Sequence, residues 1–311
     1  MTTTTPADLA RATLRHDDHP FRGIALLIGA TLCLATSDSL AKYLSATLPS
    51  IEIAWIRFVV FVLLLAPVAF SGDRAPLRSQ RPVLQVFRAL ALVVSSLLFI
   101  TALRYLPIAE ASATSFVAPL FVTALSIVVL GEVVGLHRWA ATLVGLCGVL
   151  IVVRPGTAAF DPASILPVAS AFAWAITLVM TRMISGADRI VTTMAYSAVV
   201  GVLALSALVP FVWVTPSWRD LLLGVGVGVA SSVGHWLVVL AFRHADASVL
   251  APFSYVQLVW VTVIGFVVFA ELPDLWTFVG AAFIIGSGLY TAHRERRRRA
   301  KPVPAEPNPT A

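Results

Sequence analysis

The stretch ALRYLPIAEASATSFVAPLFVTALSIVVLGE, residues 102–132, decides the fold once it is laid over AFRHADASVLAPFSYVQLVWVTVIGFVVFAE, residues 241–271. At a constant offset of 139, nine of 31 positions are identical. Shared valines carry little weight in apolar segments. Arg104/Arg243 and Glu132/Glu271, which bracket the apolar run in both copies, carry more. The chain is an internal duplication.

Around this stretch nearly everything is apolar: of 311 residues, 59% are hydrophobic and only 12% charged. A soluble domain averages about 25% charged residues, and the mean hydropathy of +0.90 points the same way. Successive apolar runs of about 20 residues match a ~30 Å hydrocarbon core, so the lipid bilayer is the chain's solvent. Ten helices are predicted, at 21–44, 51–70, 83–103, 109–130, 138–153, 163–182, 190–212, 219–242, 247–270 and 274–292. The joining segments are too short for a soluble domain. The fold class is therefore an all-α integral membrane protein of ten transmembrane helices.

The offset of 139 steps over five helices, and five is odd, so the second copy crosses the bilayer in the opposite sense to the first. The halves are 21–153 and 163–292, flanked by a polar tail at 1–20 and a basic, proline-rich tail at 293–311 read as disordered. With both termini cytoplasmic, 17 of the 22 lysines and arginines fall inside; Lys42, Arg57, Arg104, Arg154 and Arg219 are the exceptions. Arg88 counts among the inside charges. Six cations between Arg294 and Lys301 serve as a stop-transfer anchor, so the net charge of +6 does not imply nucleic acid.

Cys33 and Cys147 fall in apolar runs and read as packing residues. The HDDH run at 16–19 has metal-ligand residue types but reads as solvated juxtamembrane charge, so no metal or other cofactor is expected. The N-terminus lacks signal-peptide architecture, and the first span is expected to be retained.

Each half ends in an Arg-bounded loop, a span, an acidic residue (LGE at 130–132, FAE at 269–271) and a Gly-spaced last helix (LVGLCGVLIVV, GAAFIIGSGLY). In these features the chain resembles the EamA branch of the drug/metabolite transporter superfamily, over roughly 21–292. The resemblance implies a multi-pass carrier of the bacterial cytoplasmic membrane exporting amino acids or other small metabolites, functional as a monomer. The YddG-type aromatic amino-acid exporters are the nearest functional relatives it suggests. Members often carry a Trp early in each half. Trp174 fits, whereas the first half has TSDS at 36–39.

Ionisable groups inside spans are costly and mark candidate sites. Asp38 lies 17 residues past Phe21, about 25 Å along the helix at 1.5 Å per residue, and Lys42 is one turn further. For Asp38 three roles stand: solute or proton site, ion pair with Lys42 or Arg57, or solvated helix end. Lys42 either snorkels to the outer headgroups or gates. Arg57, about 10 Å deep, either snorkels, neutralises Asp38 or draws in a solute carboxylate.

His235 and Trp236 on the eighth helix, Tyr255, Gln257 and Trp260 on the ninth, and Trp174 on the sixth are candidates for an aromatic-lined cavity; packing and an interfacial aromatic belt are the alternatives. Gly224 and Gly228, at GxxxG spacing, suit close packing or a sliding interface. Pro119 and Pro252 are candidates for broken helices beside a cavity. Because Pro119 has Leu258 as its counterpart, the fourth span is expected to kink where the ninth is not.

Inverted repeats recur in secondary transporters, with the solute site near the midplane between them. The resulting expectation is alternating-access export of a small metabolite, with neutral or aromatic amino acids favoured. No GxxxxGK loop is present for ATP. An intramembrane enzyme is the alternative from another class, but HExxH and GxSxG are absent, and only Asp38 is a carboxylate clearly within a span. No catalytic residue is assigned. A non-transporting scaffold is the third reading.

Overall fold

A computed structural model describes residues 20–70, 78–131, 136–157, 160–184, 187–245 and 247–299. The first half comprises α1 (Pro20–Leu44), α2 (Ser50–Phe70), α3 (Pro82–Tyr105), α4 (Ile108–Ser115), α5 (Ala118–Leu130) and α6 (Leu136–Val153). The second comprises α7 (Ile165–Ile184), α8 (Ile190–Ser206), α9 (Trp218–His244), α10 (Ala247–Ser254), α11 (Val256–Phe269) and α12 (Leu275–Arg299). The pairs α4–α5 and α10–α11 each make one broken span, which gives ten. Eight are long and apolar enough to cross a bilayer, and Trp139–Val153 and Leu275–Thr291 are shorter apolar helices.

The helix ends repeat the offset found in the sequence. Tyr105 and His244 close α3 and α9, Ile108 and Ala247 open α4 and α10, and Leu136 and Leu275 open α6 and α12. Packing follows the same symmetry. The contacts α1–α9 and α3–α7 exchange under the repeat, while α2–α8 and α6–α12 map onto themselves. Those self-mated pairs mark a pseudo-two-fold axis lying across the bundle.

Both broken spans break at equivalent residues, Phe116 and Tyr255, and their rings meet at 5.1 Å between centroids. The expected asymmetry between the fourth and ninth spans is thus corrected. Pro119 has no N–H to continue the α-pattern, and the chain there tightens into i→i−3 bonds such as Val117 N to the Thr114 carbonyl. Leu258 has an N–H, yet donates it to the Tyr255 carbonyl three residues back, so the same tight turn forms without a proline at that position. Tyr255 keeps right-handed helical angles (φ −71°, ψ −12°) and its ring packs on Phe116, so the two breaks meet at one contact.

The LGE and FAE motifs also acquire a structural cause. Gly131 (φ 66°) and Ala270 (φ 55°) both end their helices in the left-handed conformation. Glycine adopts it freely, whereas a Cβ there costs about 1 kcal/mol. Ala270→Gly is therefore expected to stabilise the protein by ~0.5–1 kcal/mol, seen as a raised Tm in detergent; a lowered Tm would contradict the assignment.

The tail read as disordered over 293–311 is helical as far as Arg299, because Arg294–Arg299 are helix-tolerant residues with no glycine or proline among them. Gly224 and Gly228 face α2: a Cβ would come to 3.0 Å from Ile56 at the first and 2.4 Å from Val60 at the second. The GxxxG face is a close-packing surface.

Candidate solute cavity

A cavity of about 580 Å³ lies between α2, α3, α7, α8 and α9, within the ~300–1,000 Å³ usual for small-molecule sites. It runs from Arg57, Ser96, Trp174 and Ser231 at mid-depth to Ile184, Asp188 and Phe242 at the cytoplasmic ends of their helices, in the orientation set by the positive residues. It faces inward.

Two guanidiniums sit in its wall. Arg57, half-buried, donates to Ser96 Oγ at 3.5 Å. Arg88 is only 5% exposed and bonds the Gln85 Oε1 (3.2 Å), the Thr193 carbonyl (2.8 Å) and Ser197 Oγ. Among the described residues no carboxylate lies within ion-pair distance of either. Asp38 and His235 lie within electrostatic range of Arg57.

At the cytoplasmic mouth Asp188 lies in the loop between α7 and α8. Burial works against its charge, but Ser79 Oγ, Gln85 Nε2 (2.8 Å) and the Gln80 N–H (2.9 Å) outweigh this and hold its carboxyl below the ordinary 3.8. With the folded pKa depressed, the stabilisation is present above about pH 4 and is lost as pH falls through the lower folded value. Asp188→Asn should therefore melt below wild type near pH 6, with the gap narrowing toward pH 3 in thermal unfolding. A gap independent of pH would contradict this.

The outer side is closed. Lys42 Nζ pairs with Glu271 Oε1 at 2.9 Å, with side-chain exposures of 11% and 28%. Lys42 also donates to the carbonyls of Leu106 (2.6 Å) and Leu103 (3.3 Å), and Glu271 accepts the Ile108 N–H at 3.3 Å. Beside it Arg154 pairs with Asp274 at 2.7 Å, and Asp274 caps α12 through Thr277. Lys42 therefore does not snorkel. Carbonyls at the end of α3 and a carboxylate 229 residues away draw it inward instead.

The candidates from the sequence divide. Arg57, Trp174 and His235 line the cavity. Asp38 lies to one side of it, accepting from Gln257 Nε2 at 3.4 Å where α1 meets the ninth span. It forms no ion pair with Lys42 or Arg57. Trp236 is 41% exposed on the outer surface of the bundle. Tyr255 stacks on Phe116, and Trp260 packs against the main apolar core with its Nε1 buried and unpartnered. Pro252 lies within α10, three residues before the break, and Pro119 just after the other.

Arg88 was concealed as a member of the inside-charge count. Gln85, Arg88 and Ser96, at spacings of three and eight, put three polar groups on one face of an otherwise apolar helix. Glu271 stood out as a repeat marker only, since its partner Lys42 is on the first helix.

Ten spans in two inverted halves, broken helices at the axis, a midplane cavity open to one side and an ion-paired seal on the other define a secondary transporter. The model of the EamA-like transporter family matches residues 21–154 and again 162–291, and the chain belongs to that family. The S-adenosylmethionine uptake transporter of Rickettsia felis is 28% identical over 279 residues, covering 90% of this chain and 95% of the relative. The riboflavin transporter of Vibrio cholerae is 31% identical over 292 residues, covering 90% and 96%. The pseudopaline exporter CntI of Pseudomonas aeruginosa is 29% identical over 276 residues, covering 85% and 93%. A crystal structure 22% identical in sequence superposes with a TM-score of 0.63 over 89% of this chain and 99% of its own, which supports the fold. The chain is a multi-pass membrane transporter of small metabolites, and the enzyme and scaffold readings fall.

Proposed function

We propose that the chain carries a small organic metabolite across the bacterial cytoplasmic membrane by alternating access, with the cavity between α2, α3, α7, α8 and α9 as its solute route. The observation that carries this is the asymmetry of the two sides. A cavity with two guanidiniums and several hydroxyls set in a mostly apolar wall reaches mid-depth from the cytoplasm, and the matching outer approach is shut by Lys42, Glu271 and the end of α3. Rocking of the inverted halves would exchange those roles.

The relatives handle solutes as different as S-adenosylmethionine, riboflavin and pseudopaline, so the scaffold is permissive. Neutral and aromatic amino acids, favoured by the resemblance, belong in the same panel, and Trp174 offers them an aromatic wall. Export is the proposed direction for that class. The test is counterflow in proteoliposomes of the purified protein, using labelled S-adenosylmethionine, riboflavin and phenylalanine. Saturable exchange of one of them, abolished by Ser232→Trp in the cavity wall, is expected. Exchange indifferent to Ser232→Trp would remove the cavity from the route.

A further inference from the structure

A solute site used from both sides must be lined by residues that face the pathway in both states, and the repeat identifies them. Shifting the cavity's lining by 139 residues turns the inward half-path into the outward one. Most lining residues exchange with residues now elsewhere: Val239 with Ile100, which is 1% exposed in the main core, and Thr177 and Thr181 with Asp38 and Lys42. Three pairs map onto each other and line the cavity at both ends of the shift: Phe58/Ser197, Leu92/Ser231 and Ser96/His235. The same offset superposes the helix ends and the two breaks, so the correspondence does not rest on the cavity alone.

Both wall guanidiniums reach into this set. Arg57 donates to Ser96 Oγ and Arg88 to Ser197 Oγ. Arg88's hydrogen-bond partners are all neutral, and a buried cation without a counter-charge is costly. Asp188, one amide away through Gln85, is already held by Ser79 and Gln80. Asp38 offsets Arg57 in part but does not line the cavity.

Resting on the carrier function proposed above, we infer that Phe58, Leu92, Ser96, Ser197, Ser231 and His235 form the central solute site, and that it takes an organic oxyanion, a carboxylate or a phosphate monoester, held by Arg57 and Arg88. The hydroxyls complete the oxyanion's hydrogen bonds, and Phe58 packs on its apolar body. Asp38 and Lys42 belong to the outward half-path and contact the solute only in the outward-open state.

Two measurements on the full chain in proteoliposomes test this. The first is flux of three probes sharing one ring: phenylpyruvate, phenyl phosphate and phenethylamine. A charge-assisted hydrogen bond implies a preference on the order of 10-fold or more for an anion over the amine, and the faster of the two anions identifies the source. Preference for the amine would overturn the anion class while leaving the carrier function in place. The second is labelling by an impermeant maleimide in a Cys33→Ala, Cys147→Ala background. Leu92→Cys should be reached from both sides, Val239→Cys only from the cytoplasm and Ile100→Cys only from outside. Leu92→Cys reached from one side alone would overturn the site. Absence of flux for every probe, and for the solutes of the panel above, would instead overturn the carrier function.

Discussion

Replacing Gly280 with leucine is expected to cost about 3 kcal/mol or more, at the upper end of what overpacking does, and to leave little folded protein in the membrane. A Cβ at Gly280 would lie 2.5 Å from the Gly148 carbonyl oxygen and 2.5 Å from Val152 Cγ2; one at Gly148 would lie 2.7 Å from the Gly280 carbonyl oxygen. Backbone meets backbone here, so no side chain can rotate away. Lipid tails are as apolar as leucine, and close approach of small residues is what holds such helices together. The contact joins α6 to α12, a pair that maps onto itself under the repeat, so a wedge there separates the halves. Gly286→Leu on the same helix is the control, since a Cβ there meets nothing within 4 Å. The check is monodispersity and Tm in detergent for both variants; equal losses would contradict the packing account.

Glu271→Gln should weaken the outer seal and raise the outward-open population. It leaves Lys42, only 11% exposed, without its counter-charge, although the Leu103 and Leu106 carbonyls remain. Loss of a charged partner from a largely buried group costs about 1–3 kcal/mol. Since 1.4 kcal/mol is tenfold in an equilibrium constant, the closed-outside state loses roughly tenfold or more of its advantage. Ala54, fully buried in the core, is the counterpart of cavity-lining Thr193 and reports the change. Ala54→Cys should react with an external impermeant maleimide about tenfold faster in the Glu271→Gln background. An unchanged rate would mean that the pair stabilises the fold without gating it.

What could be read from the sequence was what is local or periodic. Apolar run lengths located ten spans, and the Arg and Glu pairs at one offset revealed the inversion. Depth counting placed Lys42 near the outer surface, but its partner Glu271 lies just past the end of the ninth span, and a contact between distant segments leaves no trace in spacing. Proline misled for a related reason. Pro119 signals a break through its missing N–H, while the break at Tyr255 has no proline at the matching position and shows itself in the Leu258 N–H to Tyr255 carbonyl bond and in the ring contact with Phe116, which only the folded bundle supplies. Arg88 sits six residues past Pro82, where a charge count reads it as cytoplasmic. Gln85, Thr193 and Ser197 turn it into the cavity wall instead. Polar side chains in a membrane protein are placed by the partners that satisfy them, and those partners are distant in sequence.

Locking the outer seal tests alternating access directly. Lys42→Cys and Glu271→Cys, in the Cys33→Ala, Cys147→Ala background, would be bridged by a short bis-methanethiosulfonate and counterflow measured before bridging, after it and after reduction. Exchange should fall to background when the bridge forms and return when it is reduced. Exchange that continues undiminished in the bridged protein would contradict transport through a cavity that must open outward at this seal.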